Sequence, residues 1–523
     1  MLTESRKTYF FLFKRTVVKI LDNLKNKIKG WWNKISGKTT DLGTNLTLLE
    51  KEIYAFRNSP RRKEMIQGEL YYEGIQDVLE RQRTSIGKDG VKVPVPNLPN
   101  NKIIDNQYGK LVDQKTNYSL GKPITFNHKD KEYIKALKKV FNKRFHKTLR
   151  SVCKNAIENG LSYIFPYYDD KGVLRFKMFK GSEIIPHWKD SEHTELEDFI
   201  RVYRARVINN DKEDFVDKVE YYSLKGIERF TLKNNQLIKE DSTTYLVVEE
   251  EQEDGTVVQK GYNWERLPLI PFKFNDNELP LIRRLKSLQD GINAILSDFT
   301  NNMQEDARNT ILVIKNYGGQ NLGEFRENLV TYGAIKVNST SEQQGGVDTL
   351  TIEVNAENYK AILEIFKKAL IENGRGLDVK SDILGGNPNQ MNIQSMYSDL
   401  DLDANEMETE FQSSFEELMW FINTHLQNKG FATISEDEEL EVIFNRDILI
   451  NEAQTIENCK NSVGIISNKT IASMHPWTDD AEEELKLIEE EKQKELEQFN
   501  NYNTDPNNPN NTDPNNKTDN TGV

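Results

Sequence analysis

"GRGLDVKSDILGGNPNQMN", residues 374–392, interrupts a chain that reads as helix on both sides. Four glycines, a proline and several Asn and Asp residues break the pattern, while Arg375 and Lys380 put two cations in the gap. Helix pairs in compact domains are usually joined by two to eight residues. A cationic connection of about twice that length therefore needs a reason. Before it, residues 356–373 carry Tyr359, Ile362, Phe366 and Leu370 at helical spacing. After it, Ile393, Tyr397, Leu400, Ala404, Met407, Phe411, Phe415, Leu418, Ile422 and Leu426 step by three or four. From Met391 to Gln427 that predicts about 55 Å of helix at 1.5 Å per residue, a strut between domains or subunits.

Further upstream, a helix is expected from about Leu279 to Gln304, with Ile282, Leu285, Leu288, Ile292, Ile295, Phe299 and Met303 on one stripe. Between the two helices, residues 308–354 read as strand "TILVIK", short helix "LGEFRENLV", strand "AIKV", a loop and strand "TLTIEV". A small α/β insert thus sits at the tip of a helical hairpin. From Ser162 to about Phe274, short alternating runs separated by turn formers predict an antiparallel meander. Residues 45–160 read mainly as helix, broken by the extended "VKVPVPNLPNN". The fold class expected is mixed α+β.

A chain of 523 residues exceeds one core and suggests three or four domains. Cys153 and Cys459 lie far apart, with neither disulfide framework nor zinc spacing, which fits a reducing, intracellular origin. A net charge of −13 argues against a protein that wraps tightly in nucleic acid, though not against one past which nucleic acid slides. No apolar run approaches the roughly 20 residues needed to span a bilayer, so a soluble chain made inside a cell is expected.

The ends differ sharply in charge. Residues 1–40 hold ten Lys/Arg against Glu4 and Asp22, with Phe10, Phe13, Val17, Leu21, Leu24, Ile28, Trp31 and Ile35 at helical spacing. A basic amphipathic helix can lie on a membrane or a polyanion; packing on a neighbouring subunit or domain is the simpler reading. "GKT" at 37–39 lacks the glycine spacing and preceding strand of a phosphate loop. Residues 479–498 hold ten acids and three lysines, a solvated helix. The Asn/Pro-rich tail, 499–523, repeats "NTDPNN" and is too polar to build a core, so disorder is expected.

Catalytic chemistry is not legible. The six histidines are scattered, and HExxH, nucleophile-elbow and Walker A motifs are absent. His187 and His193, near Asp190 and Glu192, suggest at most a weak metal site, and a surface loop is the preferred reading. No catalytic residue, cofactor or metal is assigned, and a mechanical or scaffolding role is expected.

Four stretches resemble a known family, the portal (connector) proteins of tailed bacteriophages, siphophage-type branch. They are "PNLPNNKIIDNQYGKLVDQKTNYSLGKPITF" (96–126), the segment from "LPLIPFKF" to "LVIKNYGG" (267–319), "GGVDTLTIEV" (345–354) and "YSDLDLDANEMETEFQSSFEELM" (397–419). Their order over roughly residues 50–495 carries the resemblance; the basic first 40 residues and the tail lie outside it.

The resemblance implies a ring, typically of twelve subunits, at one capsid vertex of a virion assembled in a host bacterial cytoplasm. Residues 1–45 would be an arm and 46–276 a wing, helical and then β. Residues 277–306 and 355–373 would be stem helices flanking a clip, 307–354. A tunnel loop, 374–391, would lead into a long wing helix, 392–428, with remaining wing and a helical crown in 429–498. The clip, with Glu324, Arg326 and Glu327, would dock the terminase motor and later head-completion or adaptor proteins; major capsid and scaffolding proteins would be further partners. Double-stranded DNA would pass through the channel in weak, sequence-independent contact, whereas a uniformly basic lumen would hold it still. Arg375 and Lys380 are the cations expected there, with Gly374, Gly376, Gly385 and Gly386 supplying freedom. The competing expectation is that these cations pair with acids such as Asp378 and Asp382. Other classes considered are a terminase- or nuclease-like packaging enzyme and a membrane-surface scaffold using residues 1–40.

Overall fold

The computed structural model describes residues 46–86, 90–95, 98–169, 171–190, 195–209, 212–251, 257–305, 310–315, 338, 345–351, 356–378, 390–435, 438–446, 452–478 and 481–504. The arm expected in 1–45, most of the insert and the tail beyond 504 lie outside these residues. Contacts divide the chain into two units, Met1–Leu377 with Asp399–Asp447, and Asp378–Ser398 with Ile448–Val523.

In chain order the first unit begins with helices α1 (Leu46–Asn58) and α2 (Pro60–Tyr72), strands β1 (Thr84–Ile86) and β2 (Lys92–Pro94), and helix α3 (Gln107–Leu120). Strand β3 (Thr125–Asn127) and helices α4 (Lys131–Val140) and α5 (Lys143–Asn159) follow. Asp130 and Asn142 start α4 and α5 by accepting hydrogen bonds from exposed amides of each first turn.

The β region is antiparallel, but it divides into separate sheets instead of one meander. Strands β4 (Leu161–Tyr168) and β5 (Leu174–Lys180) pair with each other. Strands β6 (Ile184–Trp188), β7 (Leu196–Asn209), β8 (Lys212–Ser223), β9 (Gly226–Lys233) and β10 (Gln236–Thr243) form a true meander in sequential order. Strands β11 (Leu246–Glu251) and β12 (Val257–Tyr262) make a hairpin, and β13 (Ile270–Lys273) returns to the far edge of β4. Period-2 alternation shows which face of a strand is apolar but not which neighbour it pairs with; long-range pairing decided the split.

Helix α6 (Ile282–Glu305), strands β14 (Thr310–Lys315) and β15 (Gly346–Thr351), and helix α7 (Ala356–Asn373) come next. The two strands pair antiparallel in register, Thr310 with Thr351 through Lys315 with Gly346. Helices α6 and α7 pack through Phe299 on Tyr359, ring centroids 5.1 Å apart, and Asn302 donates to the Tyr359 hydroxyl at 2.9 Å. Helix α8 (Gln390–Asn428) contributes residues to both units. All ten apolar residues predicted on its stripe, Ile393 through Leu426, are buried. Strand β16 (Glu441–Ile443) pairs with β3.

The main core of the first unit gathers Tyr133, Leu137, Phe145, Leu149, Phe272, Phe411, Phe415 and Ile422 from α4, α5, β13 and α8. In the second unit α9 (Glu452–Asn461), α10 (Asn468–Met474) and the acidic α11 (Ala481–Thr504) follow one another, and Lys469 pairs with Glu482 at 2.7 Å. Among the described residues no helix is long and apolar enough to cross a membrane.

Candidate functional site

The end of α7 is fixed by its own backbone. The N–H groups of Gly374, Arg375 and Gly376 donate to the carbonyls of Leu370, Glu372 and Ile371 at 2.9, 3.0 and 2.9 Å. This is a Schellman-type C-cap, whose αL position normally calls for glycine. Here Arg375 holds it, at φ 48°, a conformation costing a non-glycine residue roughly 1–2 kcal/mol. Its side chain offsets that cost, because Arg375 Nη1 lies 2.8 Å from Asp403 Oδ1 on α8.

Asp403 is a hub. Its carboxylate is buried and also receives Lys115 of α3 at 2.7 Å and Arg284 of α6 at 3.0 Å. Lys115 further donates to the Arg375 carbonyl at 2.9 Å. Burial lowers the Lys115 pKa to about 8, opposed by Asp403 and reinforced by Arg284 and Arg375. Burial acts to raise the Asp403 pKa, but the charges of Lys115 and Arg284 outweigh it and hold the carboxyl below its ordinary value. One carboxylate thus ties α3, α6, the end of α7 and α8 together.

The two flanking glycines serve close approach. A Cβ on Gly374 would lie 2.6 Å from Leu111 Cδ1, and one on Gly376 would lie 2.2 Å from Leu111 Cδ2. Gln114 then clips the next residue at both ends: Leu377 N–H donates to its Oε1 at 2.9 Å, and its Nε2 donates to the Leu377 carbonyl at 2.8 Å. Residues 374–377, with Gly374 and Gly376 among them, therefore form an anchored cap at the start of the loop in which those glycines were expected to supply freedom. Arg375 pairs with Asp403, 28 residues downstream. Lys380, Gly385, Gly386 and Asp382 lie outside the described residues, as do Glu324, Arg326 and Glu327.

A second polar device joins α6 to the Asn-rich segment before α3. Gln289, Asn293, Ser297 and Asn301 form one line at four-residue spacing on α6, and all four are buried. Their side-chain oxygens accept the backbone N–H groups of Tyr108 (3.0 Å), Asp105 (3.0 Å), Ile103 (3.0 Å) and Asn101 (2.7 Å). The match is metrical. Four helical residues rise about 6 Å, and two residues of extended chain advance about 6.6 Å. The alternate amides of 101, 103 and 105 therefore meet three successive rungs, and the fourth rung takes Tyr108 in the first turn of α3.

Sequence reasoning missed both devices, though one signal was present. Asp403 sits three residues after Leu400 and four before Met407, on the buried stripe of α8. A charge at such a position must be paired. The rungs on α6 gave less warning, since polar residues beside an apolar stripe read as solvent-facing.

Elsewhere, His187 lies on β6 instead of a surface loop, 2.5 Å from Asp198 and 3.4 Å from Glu52. His193 and Glu192 lie outside the described residues, among which no group of three or more His, Cys, Asp or Glu residues is arranged to hold a metal. The Asp403 hub and the four rungs of α6 hold helices in place.

Comparison with known proteins gives a concordant result. The family model described as "Phage portal protein, SPP1 Gp6-like" matches residues 54–498. A portal protein of Bacillus phage SPP1 is 28% identical over 465 residues, covering 85% of this chain and 86% of that one. A portal protein of Clostridium phage phiCD119 is 27% identical over 446 residues, covering 83% and 94%. Among solved structures, "Neck of native GTA particle computed with C12 symmetry" aligns over 70% of this chain and 88% of that one, at 12% identity and a TM-score of 0.35.

Proposed function

This chain belongs to the phage portal proteins of the SPP1 Gp6-like family, and on that premise we propose that its copies close into a ring, expected to hold twelve, at one capsid vertex. As a phage portal protein it is a structural, non-enzymatic component of the virion. The ring is the channel for genome packaging and ejection. The observation that carries this reading is the family match from 54 to 498, which runs through the helical hairpin, the 374–391 loop and the long helix.

Within that reading, α6 and α7 are the stem, and the insert between them is the clip. Glu324, Arg326 and Glu327 belong to the face that receives the terminase motor and later the head-completion proteins. Lys380 supplies the weak, sequence-blind contact to DNA, and Arg375, committed to Asp403, is the fixed foot from which the loop departs. That division of labour suits a conduit: a few cations on the loop can centre a duplex, while each added phosphate contact would slow it.

Negative-stain images of the purified chain test the proposal. Rings with a central hole, resolved into twelve subunits by class averaging, are expected. Compact monomers at micromolar concentration would overturn it.

A further inference from the structure

Helix α1 is the first described element, and it follows directly on the basic residues 1–45. It buries Leu49 and Ile53 against Ile200, Val202, Val219, Phe230 and Leu237 of the five-stranded sheet. Three polar contacts surround that apolar seat. Leu237 N–H donates to Glu50 at 2.8 Å, Arg57 meets Asp217 at 2.7 Å, and His187 Nε2 lies 3.4 Å from Glu52.

The third contact differs from the others because its cation titrates near neutrality. His187 Nδ1 lies 2.5 Å from Asp198, whose other oxygen accepts from the Tyr221 hydroxyl at 2.9 Å. The doubly protonated ring therefore hydrogen-bonds Asp198 on the sheet and places its positive charge 3.4 Å from the Glu52 carboxylate on α1. On losing a proton it keeps one N–H. The shorter contact, to Asp198, retains it, and a lone pair then faces the Glu52 carboxylate.

We propose that His187 is a proton-operated latch that holds α1 on the sheet, and so sets how firmly the segment leading from the basic terminus is attached. The groups facing the ring are Glu52 from α1, Asp198 and Glu197 from β7, and the Tyr221 phenol from β8. The hydrogen bond to Asp198 raises the His187 pKa above its ordinary value, against the opposing effect of burial. For detachment of α1 the reference is His187 still bonded to Asp198 on the sheet, so only the Glu52 share of the shift acts on the latch. That share is fully present below the pKa of the detached state and fades as pH rises through the higher, latched value. The latch is closed in mild acid and open in mild base.

The experiment is hydrogen–deuterium exchange of the full-length protein between pH 5.5 and 8.5, with rates in 46–58 normalised to the unfolded chain. Protection of α1 is expected to fall about five-fold across that range, the size of one exposed ion pair. H187Q should remove the pH dependence. E52Q, a change on the half-exposed side of α1 that leaves the sheet intact, should remove it as well. A flat wild-type profile overturns the latch, and so does a slope that survives in either variant.

Discussion

The side-chain oxygen of Asn293 accepts the backbone N–H of Asp105 at 3.0 Å, across 188 residues of sequence. The same side chain donates to Gln76 and receives Gln289, so one buried amide joins α6, the start of α3 and the turn after α2. Replacing it by a nearly isosteric apolar group, N293L, leaves the Asp105 N–H without an acceptor. Each buried group so orphaned costs about 1–3 kcal/mol. Urea unfolding at fixed protein concentration should register the loss, and amides 101, 103 and 105 should exchange faster as a group. Unchanged exchange at 101 and 103 would mean that the rungs act independently.

Asp403 should be the costliest single position at the loop base. D403N leaves Lys115, Arg284 and Arg375 facing one another without a carboxylate, and breaking a buried pair in this way costs about 3–5 kcal/mol. Adding K115M to D403N should recover part of the loss, because it removes the most deeply buried cation. The pH dependence follows from the depressed Asp403 pKa. Its contribution is present above the unfolded value of 3.8 and disappears as pH falls through the lower folded value. Protection of residues 370–378 should accordingly decay below about pH 4 in the wild type, and D403N should lack that component.

G376A tests whether the glycine serves flexibility or fit. A methyl group there meets Leu111 Cδ2 at 2.2 Å, and overpacking of this kind costs about 1–3 kcal/mol. L111A in the same chain should restore part of the stability by opening the space. If Gly376 served only as a swivel, L111A would bring no relief.

Lys380 separates stability from function. K380E should leave ring assembly and melting temperature unchanged while lowering DNA packaging or retention, because its proposed partner is the genome. R375Q should behave oppositely, destabilising the loop base through loss of the Asp403 contact. In vitro packaging with both variants discriminates them; normal packaging by K380E would remove the loop from the DNA path.

Periodicity by itself determined much of the secondary structure. The apolar stripes expected in 356–373 and 391–427 correspond to α7 and α8, since spacing of three and four residues has one low-energy outcome once a face must be buried. The length and charge of the 374–392 stretch were equally legible. Tertiary structure alone decided what the first residues of that stretch do. Gly374, Gly376 and Arg375 looked like two hinges and a free cation, because a local reading weighs only backbone freedom and charge. The close approach of Leu111 holds the two glycines in place, and the buried Asp403 engages the arginine. Those partners lie 263 or more residues upstream for the glycines and 28 downstream for the arginine, beyond the reach of any local pattern. Desolvation of a carboxylate and the volume of a leucine side chain are properties of the packed core, and only the folded chain brings them to bear on the loop.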